Sequence, residues 1–151
     1  MKVYVASSWR NDRQPEVVAA LRKAGHKVYD FRNPPNKTGF SWSEIDPNWK
    51  NWTVSEYLTA LDNPIAANGF LSDFEGMREA DVCVLVMPCG RSAHCEAGYM
   101  QGAGKPTIVL LEKEAEPELM YKMFERVRPN LEEVVKDVNF LESLSLANIK
   151  I

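Results

Sequence analysis

The chain has 151 residues, of which 45% are hydrophobic and 26% are charged, and its formal net charge is −3. This length suits one domain, and this composition is that of an ordinary globular protein. The acidic balance argues against a general nucleic-acid binder, and the lack of a long apolar run argues against a membrane span. Three cysteines without a CxxC pair argue against a disulfide framework. We therefore expect a small cytoplasmic enzyme or binding domain.

The first 31 residues predict a strand, a helix and a second strand. The strands are the apolar runs KVYVAS at 2–7 and KVYDF at 27–31. Between them, Pro15 opens a predicted helix and Gly25 ends it. The short turns indicate a right-handed parallel crossover. His26, which follows the glycine, is predicted to be a solvated turn residue.

Residues 32–52 interrupt this pattern with three prolines, one glycine and three of the four tryptophans. A loop of this length is uncommon unless it is functional or disordered. Two interpretations stay open. The segment is either a loop packed on the protein body through its tryptophans, or a lid or pocket wall that presents aromatic faces to a planar ligand. The tryptophans are Trp42, Trp49 and Trp52.

Helices and a central strand follow this segment. Thr53 is the predicted N-cap of a helix that ends near Leu61. Residues 62–69 are predicted to form turns, and 70–80 a short helix. The almost wholly apolar run DVCVLVM at 81–87 is typical of a parallel strand buried on both faces.

The last part of the chain predicts more helices and strands. Ser92 is the predicted N-cap of a helix that ends near Ala103. The run PTIVLL at 106–111 predicts another buried strand, and 117–126 a helix. Whether a short fifth strand lies near 124–128 stays open. The last predicted helix carries an apolar stripe of Leu131, Val134, Val135, Val138 and Leu141.

This order of elements predicts an α/β fold, a three-layer sandwich around a parallel, flavodoxin-like or Rossmann-like sheet. In such sheets ligands bind beyond the carboxyl ends of the strands, near the point where the strand order reverses. Two segments fall at that edge. They are residues 7–13, after the first strand, and residues 88–96, after the third.

The second segment has the features of an anion site. Arg91 and Ser92 lie where a small-residue loop opens a helix. Backbone N–H groups at a helix N-terminus attract anions, and an arginine adds a fork of donors. The structural alternative is a turn with ordinary capping chemistry. Both interpretations stay open.

The cysteines and the nearby histidine are weaker candidates. Cys83 is predicted to be a core residue of the third strand. A metal site at Cys89, His94 and Cys95 is not expected, because neighbouring side chains on a helix point apart and no fourth ligand is apparent. The same geometry argues against His94 and Cys95 as a nucleophilic pair.

Two acidic residues can meet at this edge of the sheet. Glu96 falls in the second turn of the helix after the third strand, and Asp73 precedes that strand. Around a sugar, one carboxylate can attack the anomeric carbon while the other handles the proton of the leaving group. A carboxylate that only stabilises the helix N-terminus is the structural alternative for Glu96.

Three stretches of the chain match a known family pattern, and their order and spacing together make the match specific. They are Val3-Tyr4-Val5-Ala6-Ser7-Ser8-Trp9 with Asp12-Arg13-Gln14, Asp73-Phe74-Glu75-Gly76 with Ala80-Asp81, and Glu96-Ala97-Gly98 with Gly104-Lys105-Pro106. In these stretches the chain resembles the nucleoside 2-deoxyribosyltransferase family, including its relatives that hydrolyse nucleoside 5′-monophosphates. The resemblance spans residues 3–111. The insertion at 32–52 and the C-terminal third match no named pattern.

The resemblance implies one domain over residues 1–151 and gives the acids roles. Glu96 would be the nucleophile, Asp73 the general acid and base at the nucleobase, and Tyr4 would orient Glu96. Transferases of the family carry an aspartate where this chain has Gly90, and the arginine and serine beside it resemble the nucleotide-hydrolase branch. The substrate-binding candidates are Ser7, Ser8, Trp9, Arg10, Gly90, Arg91 and Ser92.

The predicted activity is cleavage of the N-glycosidic bond of a nucleoside or nucleoside 5′-monophosphate, by hydrolysis or deoxyribosyl transfer. No metal or organic cofactor is expected. The expected partner is a small-molecule nucleoside or nucleotide, not a nucleic acid or a membrane. A homo-oligomer is expected because related sites borrow residues from a neighbouring subunit. Two alternatives stay open, an NAD-cleaving domain resembling the TIR family and a non-catalytic nucleotide-binding domain.

Overall fold

A computed structural model describes residues 1–35 and 39–148 of the chain. It contains one five-stranded sheet, made of Lys2–Ala6 (β1), Lys27–Tyr29 (β2), Val82–Val86 (β3), Thr107–Leu110 (β4) and Arg126–Arg128 (β5). The strand order is β2-β1-β3-β4-β5, and every neighbouring pair is parallel. The predicted α/β fold with a parallel, flavodoxin-like sheet is therefore confirmed. In the described residues, no helix is long and apolar enough to cross a membrane.

Five α-helices connect and cover the strands in the described part of the chain. They are Arg13–Lys23 (α1), Val54–Leu61 (α2), Pro64–Glu79 (α3), Arg91–Gly102 (α4) and Leu131–Asn148 (α5). Helices α1 and α5 pack on one face of the sheet, and α3 and α4 pack on the other. Helix α2 contacts α3 at the outer side of that second layer.

The sheet is buried on both faces, and alternate strand residues serve two apolar clusters. On the face toward α1 and α5, Val3 and Val5 pack with Leu21 and with the stripe residues Val134 and Val138, as the sequence predicts. The opposite face of the sheet packs on α3 and α4. Its cluster includes Tyr4, Cys83, Leu85, Met77, Ala97 and Met100. The predicted core position of Cys83 is confirmed.

Helix α3 begins at Pro64 and not near residue 70, so the predicted turn region is wrong for most of its length. The Asn63 side-chain oxygen accepts a hydrogen bond from the Ile65 N–H at 2.9 Å. Proline suits the first turn of a helix because its missing N–H has no partner there anyway. The Asn-Pro pair is therefore a helix start. Helix α3 is therefore six residues longer than predicted, and three of these residues, Ala66, Ala67 and Gly69, line the cleft described below.

Three other local predictions are wrong. The N-cap of α4 is Gly90 and not Ser92. The predicted helix at 117–126 is only a 3-10 turn, Leu119–Met123, and the chain then enters β5. His26 is 4% exposed and not solvated, and its Nε2 lies 2.9 Å from the Asn139 side-chain oxygen on α5. The burial of His26 depends on this contact between distant segments of the chain, which no local pattern predicts.

The insertion at 32–52 is partly described, since residues 36–38 lie outside the described residues. Its later part forms two 3-10 turns, Trp42–Glu44 and Trp49–Asn51. Thr53 then caps α2 in a capping box, with its side-chain oxygen accepting from the Glu56 N–H, as predicted. This segment lies beside α2 and α3 and forms the outer wall of the cleft described below.

Candidate active site

The site forms where the strand order reverses between β1 and β3. Two loops leave the carboxyl ends of these strands, and Asn11 joins them. Its side-chain amide donates to the Val86 carbonyl at 3.3 Å and the Pro88 carbonyl at 3.1 Å. The Ser7 hydroxyl also donates to the Val86 carbonyl, at 2.9 Å. These bonds fix both loops relative to each other at the edge where ligands of such sheets bind.

A cleft of about 1180 Å³ opens beside this edge, between α3, α4, α2 and the insertion. Asp73 of α3 and Glu96 of α4 both line it. They are 23 positions apart in the sequence, and the two helices bring them to one cavity. A shared cleft is the arrangement that paired-carboxylate chemistry needs.

Glu96 is largely removed from solvent, and this burial raises its pKa from an ordinary 4.5 to about 7. The negative charge of Asp73 raises the pKa of Glu96 further, while the Tyr4 hydroxyl opposes the shift. Glu96 therefore exists in both protonation states near neutral pH. A group with this property can switch between carboxylate and carboxylic acid during a reaction.

Tyr4 lies on β1 directly under the two helices and is fully buried. Burial, followed by the charges of Glu96 and Asp73, raises the pKa of its hydroxyl, so the phenol keeps its proton. Among the described residues this hydroxyl has no hydrogen-bond partner of good geometry. Its interaction with Glu96 lowers the pKa of that carboxyl.

Asp73 has a defined partner in Tyr29 of β2. The Tyr29 hydroxyl donates to Asp73 Oδ1 at 2.8 Å and lies 3.1 Å from the Ser72 hydroxyl. Burial raises the pKa of Asp73, and the hydrogen bond from Tyr29 works in the opposite direction. Tyr29 thus holds the carboxyl in place and favours its ionised form.

The two tyrosines form one aromatic unit. Tyr4 and Tyr29 pair in the parallel register of β1 and β2, and their rings stack with centroids 5.2 Å apart. Gly76 of α3 permits this arrangement, because a Cβ at that position would come within 2.7 Å of the Tyr29 ring. Each tyrosine faces a different acid, so the stack links the surroundings of Asp73 and Glu96.

The N-terminus of α4 forms another part of the cleft. Arg91 and Ser92 line it, as the sequence leads one to expect for a ligand-binding segment. No side chain in the described part of the chain caps this helix with a hydrogen bond. Its first N–H groups can therefore bind an anion, and Arg91 can add a second interaction.

The other predicted binding residues do not line the cleft. Trp9 is 51% exposed, and its ring packs edge-on against Phe31 and beside the Arg32 guanidinium. The Ser7 hydroxyl is used within the protein, and the Ser8 side-chain oxygen accepts from the Arg10 N–H at 3.2 Å. The predicted binding residues outside the cleft lining are Ser7, Ser8, Trp9, Arg10 and Gly90.

Comparison with solved structures identifies the fold. The chain matches a 2-deoxyribosyltransferase of Bacillus psychrosaccharolyticus at a TM-score of 0.59 and 19% identity, over 89% of this chain and 90% of that one. It matches a conserved protein of Enterococcus faecalis V583 at a TM-score of 0.57 and 15% identity, over 92% and 97% of the two chains. The chain has the fold of a 2-deoxyribosyltransferase.

The remaining comparisons add one weaker similarity. The CMP N-glycosidase BcmB of Clostridium botulinum aligns with 92% of this chain and 99% of its own, at 17% identity and a TM-score of 0.49. No protein-family model matches the chain, and no curated protein matches its sequence.

Lys105 and Asp81, which belong to the stretches that resemble the family, hold parts of the fold together and do not line the cleft. The Lys105 ammonium donates to the Met77 carbonyl at 2.8 Å, near the end of α3. An Asp81 carboxylate oxygen accepts from the Lys2 N–H at 2.8 Å, where β1 begins beside β3. Both interactions tie α3 and its following turn to the sheet. They fix the helix that carries Asp73.

Cys89 and His94 lie close together but do not form a nucleophilic pair. Nδ1 of His94 is 3.5 Å from the Cys89 sulfur and 2.9 Å from the Gly90 carbonyl, which can only accept, so Nδ1 carries the proton. Nε2 then accepts from the Tyr121 hydroxyl at 2.8 Å. Burial and the charge of Glu96 raise the pKa of Cys89 to about 12. Cys95, by contrast, is exposed and lines the cleft.

Sequence reasoning missed Tyr29 and Asn11. A signal for Tyr29 was present, since the tripeptide Lys-Val-Tyr occurs at 2–4 and again at 27–29. Parallel pairing of two neighbouring strands in register sets the two tyrosines side by side. No local pattern marks Asn11, because its partners lie 75 and 77 positions away.

Proposed function

We propose that this protein cleaves the N-glycosidic bond of a nucleoside or nucleoside 5′-monophosphate. Glu96 is the nucleophile, and Asp73 acts at the base. The observation that supports this is one cleft lined by two carboxyl groups of raised pKa, at the strand-order reversal of the sheet. The fold, shared with a 2-deoxyribosyltransferase, is compatible with this activity.

In the first step a carboxylate oxygen of Glu96 attacks the anomeric carbon. The bond from this carbon to the base nitrogen breaks, its electron pair stays with the base, and the Asp73 carboxyl gives the base a proton. The products are a glycosyl ester on Glu96, a neutral base and an Asp73 carboxylate. Positive charge that develops on the sugar is stabilised by the nearby carboxylates.

In the second step water attacks the anomeric carbon and gives a proton to Asp73. The ester bond breaks, and its electron pair returns to Glu96, so both acids regain their starting states. Transfer differs only in that a second base takes the place of water. Tyr29 is a positioning residue in both steps, because its hydroxyl holds Asp73 at 2.8 Å.

A 5′-phosphate is the proposed group at the start of α4. Arg91 and Ser92 line the cleft there, and the helix N-terminus is open to an anion. Gly90 stands where transferases of the proposed family carry an aspartate, and a neutral residue at this point favours a phosphate. We also propose that residues 1–151 form one domain of this family, acting in the cytoplasm as a homo-oligomer.

The test is a panel of nucleosides, their 5′-monophosphates and NAD, with free base measured by chromatography. We expect wild type to release base from at least one compound. Glu96→Gln should abolish release, and Asp73→Asn should lower kcat by about 10²–10⁴-fold, the usual contribution of a general acid. Glu75→Gln is the matched control, because Glu75 is an exposed acid on α3 that does not line the cleft.

Three results would contradict the proposal in different ways. Equal release by wild type and Glu96→Gln would exclude the mechanism. Tight nucleotide binding without any turnover would favour a non-catalytic binding domain. Nicotinamide release from NAD as the fastest reaction would favour an NAD-cleaving enzyme.

A further inference from the structure

Asn11 is a buried asparagine that joins the two loops at the carboxyl edge of the sheet. It is 7% exposed and does not line the cleft. Its side-chain amide lies within hydrogen-bond distance of three acceptors, the Ser7 hydroxyl at 3.1 Å, the Val86 carbonyl at 3.3 Å and the Pro88 carbonyl at 3.1 Å. Its side-chain oxygen accepts from the Arg13 N–H at 3.0 Å. Both polar atoms of this side chain are therefore used within the protein.

The hydrogen bond to Pro88 is the contact that Ser7 does not duplicate. The Ser7 hydroxyl also donates to the Val86 carbonyl, so the end of β3 keeps a donor without Asn11. Pro88 lies two positions before Gly90, the N-cap of α4, and that helix start has no side-chain cap in the described part of the chain. Asn11 therefore holds the turn that leads into α4.

The loop that carries Asn11 is itself fixed by hydrogen bonds. The Asn11 backbone N–H donates to the Ser8 carbonyl at 3.0 Å. The Arg32 guanidinium donates to the Asn11 carbonyl at 3.0 Å and to the Trp9 carbonyl at 2.7 Å. The Asn11 side chain can therefore act as a fixed support, since a supporting residue is effective only when its own geometry is locked.

Beyond its first turn, α4 is fixed by the core. Ala97 and Met100 are fully buried against the sheet, and the Thr107 hydroxyl donates to the Ala97 carbonyl at 3.2 Å. Glu96 directly precedes Ala97, so these contacts hold the proposed nucleophile. Loss of the Asn11 amide should therefore move the start of the helix more than its second turn.

We propose that Asn11 is a positioning residue for the 5′-phosphate end of the substrate. Through the Pro88 carbonyl it fixes the first turn of α4, which carries Arg91 and Ser92. It acts through this turn and not on the substrate, because it does not line the cleft. This inference rests on the proposed function and adds to it a residue outside the cleft that controls the affinity for the phosphate.

Asn11→Ser separates this role from a local one. A serine hydroxyl can still accept from the Arg13 N–H, as serine does in turns of this kind, but it is too short to reach the Pro88 carbonyl. The Val86 carbonyl keeps its hydrogen bond from Ser7. The variant should therefore fold, and Asn11→Thr is a second variant with the same short hydroxyl.

The experiment measures kcat and KM for a nucleoside 5′-monophosphate that wild type cleaves, together with the inhibition constant of inorganic phosphate. We expect Asn11→Ser to raise KM and the inhibition constant by about tenfold each, the effect of losing one hydrogen bond to a charged group. The value of kcat should stay near that of wild type, because the core holds Glu96. Where wild type also cleaves the corresponding nucleoside, the KM for that nucleoside should not change.

Asn139→Ser is the matched control. Asn139 lies on α5, at the opposite face of the sheet, and its side-chain oxygen lies 2.9 Å from Nε2 of His26, which is 113 positions away. The substitution therefore also removes an asparagine contact between distant segments. Its KM, kcat and inhibition constant should match those of wild type. A rise in KM as large as that of Asn11→Ser would show a general loss of stability and would overturn the inference.

The outcomes separate this inference from the proposed function. An unchanged KM and inhibition constant in Asn11→Ser, or a fall in kcat alone, would overturn the inference and leave the cleavage mechanism standing. If wild type cleaves no compound, the proposed function fails, and titration calorimetry with the same 5′-monophosphates decides the inference. Weaker binding by Asn11→Ser than by wild type would then support it, and equal binding or none would overturn it.

Discussion

Two tyrosines lie beside the two carboxyl groups that line the cleft. Burial raises the pKa of both phenols, so each keeps its proton and can only donate to a neighbouring carboxylate. Tyr29 makes such a bond to Asp73, and Tyr4 faces Glu96 without completing one. Donation favours the ionised form of each acid, whereas burial favours the protonated form of both, and the charge of Asp73 favours the protonated form of Glu96 further. The balance leaves Glu96 with a pKa of about 7.

The raised pKa of Glu96 makes its ionisation costly to the fold. Below about pH 4.5 the Glu96 carboxyl is neutral in both the folded and the unfolded chain, so its ionisation takes nothing from the free energy of unfolding. As the pH rises toward 7, the unfolded chain ionises first, so wild type loses stability. We therefore expect Glu96→Gln to be more stable than wild type at pH 8, by up to about 3 kcal/mol, and equally stable at pH 4.

Urea unfolding at several pH values measures this difference. Glu75→Gln serves as the control, and its difference from wild type should stay small at every pH because the side chain is exposed. A Glu96→Gln variant that is less stable at pH 8 would mean that the Glu96 carboxylate supports the fold. The mechanism proposed for it would then lose its physical basis.

The acids themselves could be predicted from the sequence, but the geometry around them could not. Glu96 and Asp73 stood out because the segments that carry them come before and after the strongly apolar third strand. The exposure of Trp9 and its packing on Phe31 depend on the path of the insertion, because Gly39 of the insertion lies close to the Trp9 ring. Such contacts depend on tertiary structure that no local pattern encodes.

Helix α3 supports the site as an element, and Gly76 fixes its distance from the sheet. The Tyr29 ring occupies the space that a side chain at Gly76 would need. Gly76→Ala would therefore push the ring away from Asp73. We expect kcat/KM to fall by about 10- to 100-fold, the effect of misplacing a catalytic group by about 1 Å.

Gly102→Ala is the matched substitution in α4, where a new Cβ meets nothing within 4 Å. It should keep full activity and gain up to about 1 kcal/mol of stability, as alanine favours helix over glycine. Thermal unfolding of both variants separates loss of fold from loss of geometry. If Gly76→Ala keeps wild-type kcat/KM, Tyr29 is not needed to hold Asp73.

Elements with strong local signals could be predicted, and those with weak signals could not. β3 and β4 are almost wholly apolar, and α5 carries a clear stripe, so all three were found. The start of α3 was missed because Asn63 and Pro64 are common in turns as well as at helix starts. β5 is only three residues long, and pairing with β4 defines it.

At the scale of the whole molecule, the sheet separates the main core from the cleft. Leu21 of α1 is fully buried on the face opposite to α3 and α4. Leu21→Ala should lower the free energy of unfolding by about 2–5 kcal/mol, the cost of an empty space in a core. KM and kcat should not change at temperatures where the variant stays folded, because the cleft lies on the other face.

Urea unfolding and steady-state kinetics on the same preparations test this separation. Lys23→Ala, at an exposed position of the same helix, should change the stability by no more than about 0.5 kcal/mol. A Leu21→Ala variant with a changed KM would show that the two faces of the sheet are coupled.

The fold class of the whole molecule could be predicted because the alternation of strands and helices along the chain sets the layers. The path of the insertion could not be predicted in this way.

Cys95 offers a chemical handle that the chain already contains. Cys83 is enclosed by the core and Cys89 is half-buried with a raised pKa, which leaves Cys95 as the exposed thiol, one residue before Glu96 in the cleft wall. A mild electrophile should therefore label the native protein at one place. Tethered fragments could be screened there for inhibitors, and a fluorophore at this sulfur would report when the cleft fills.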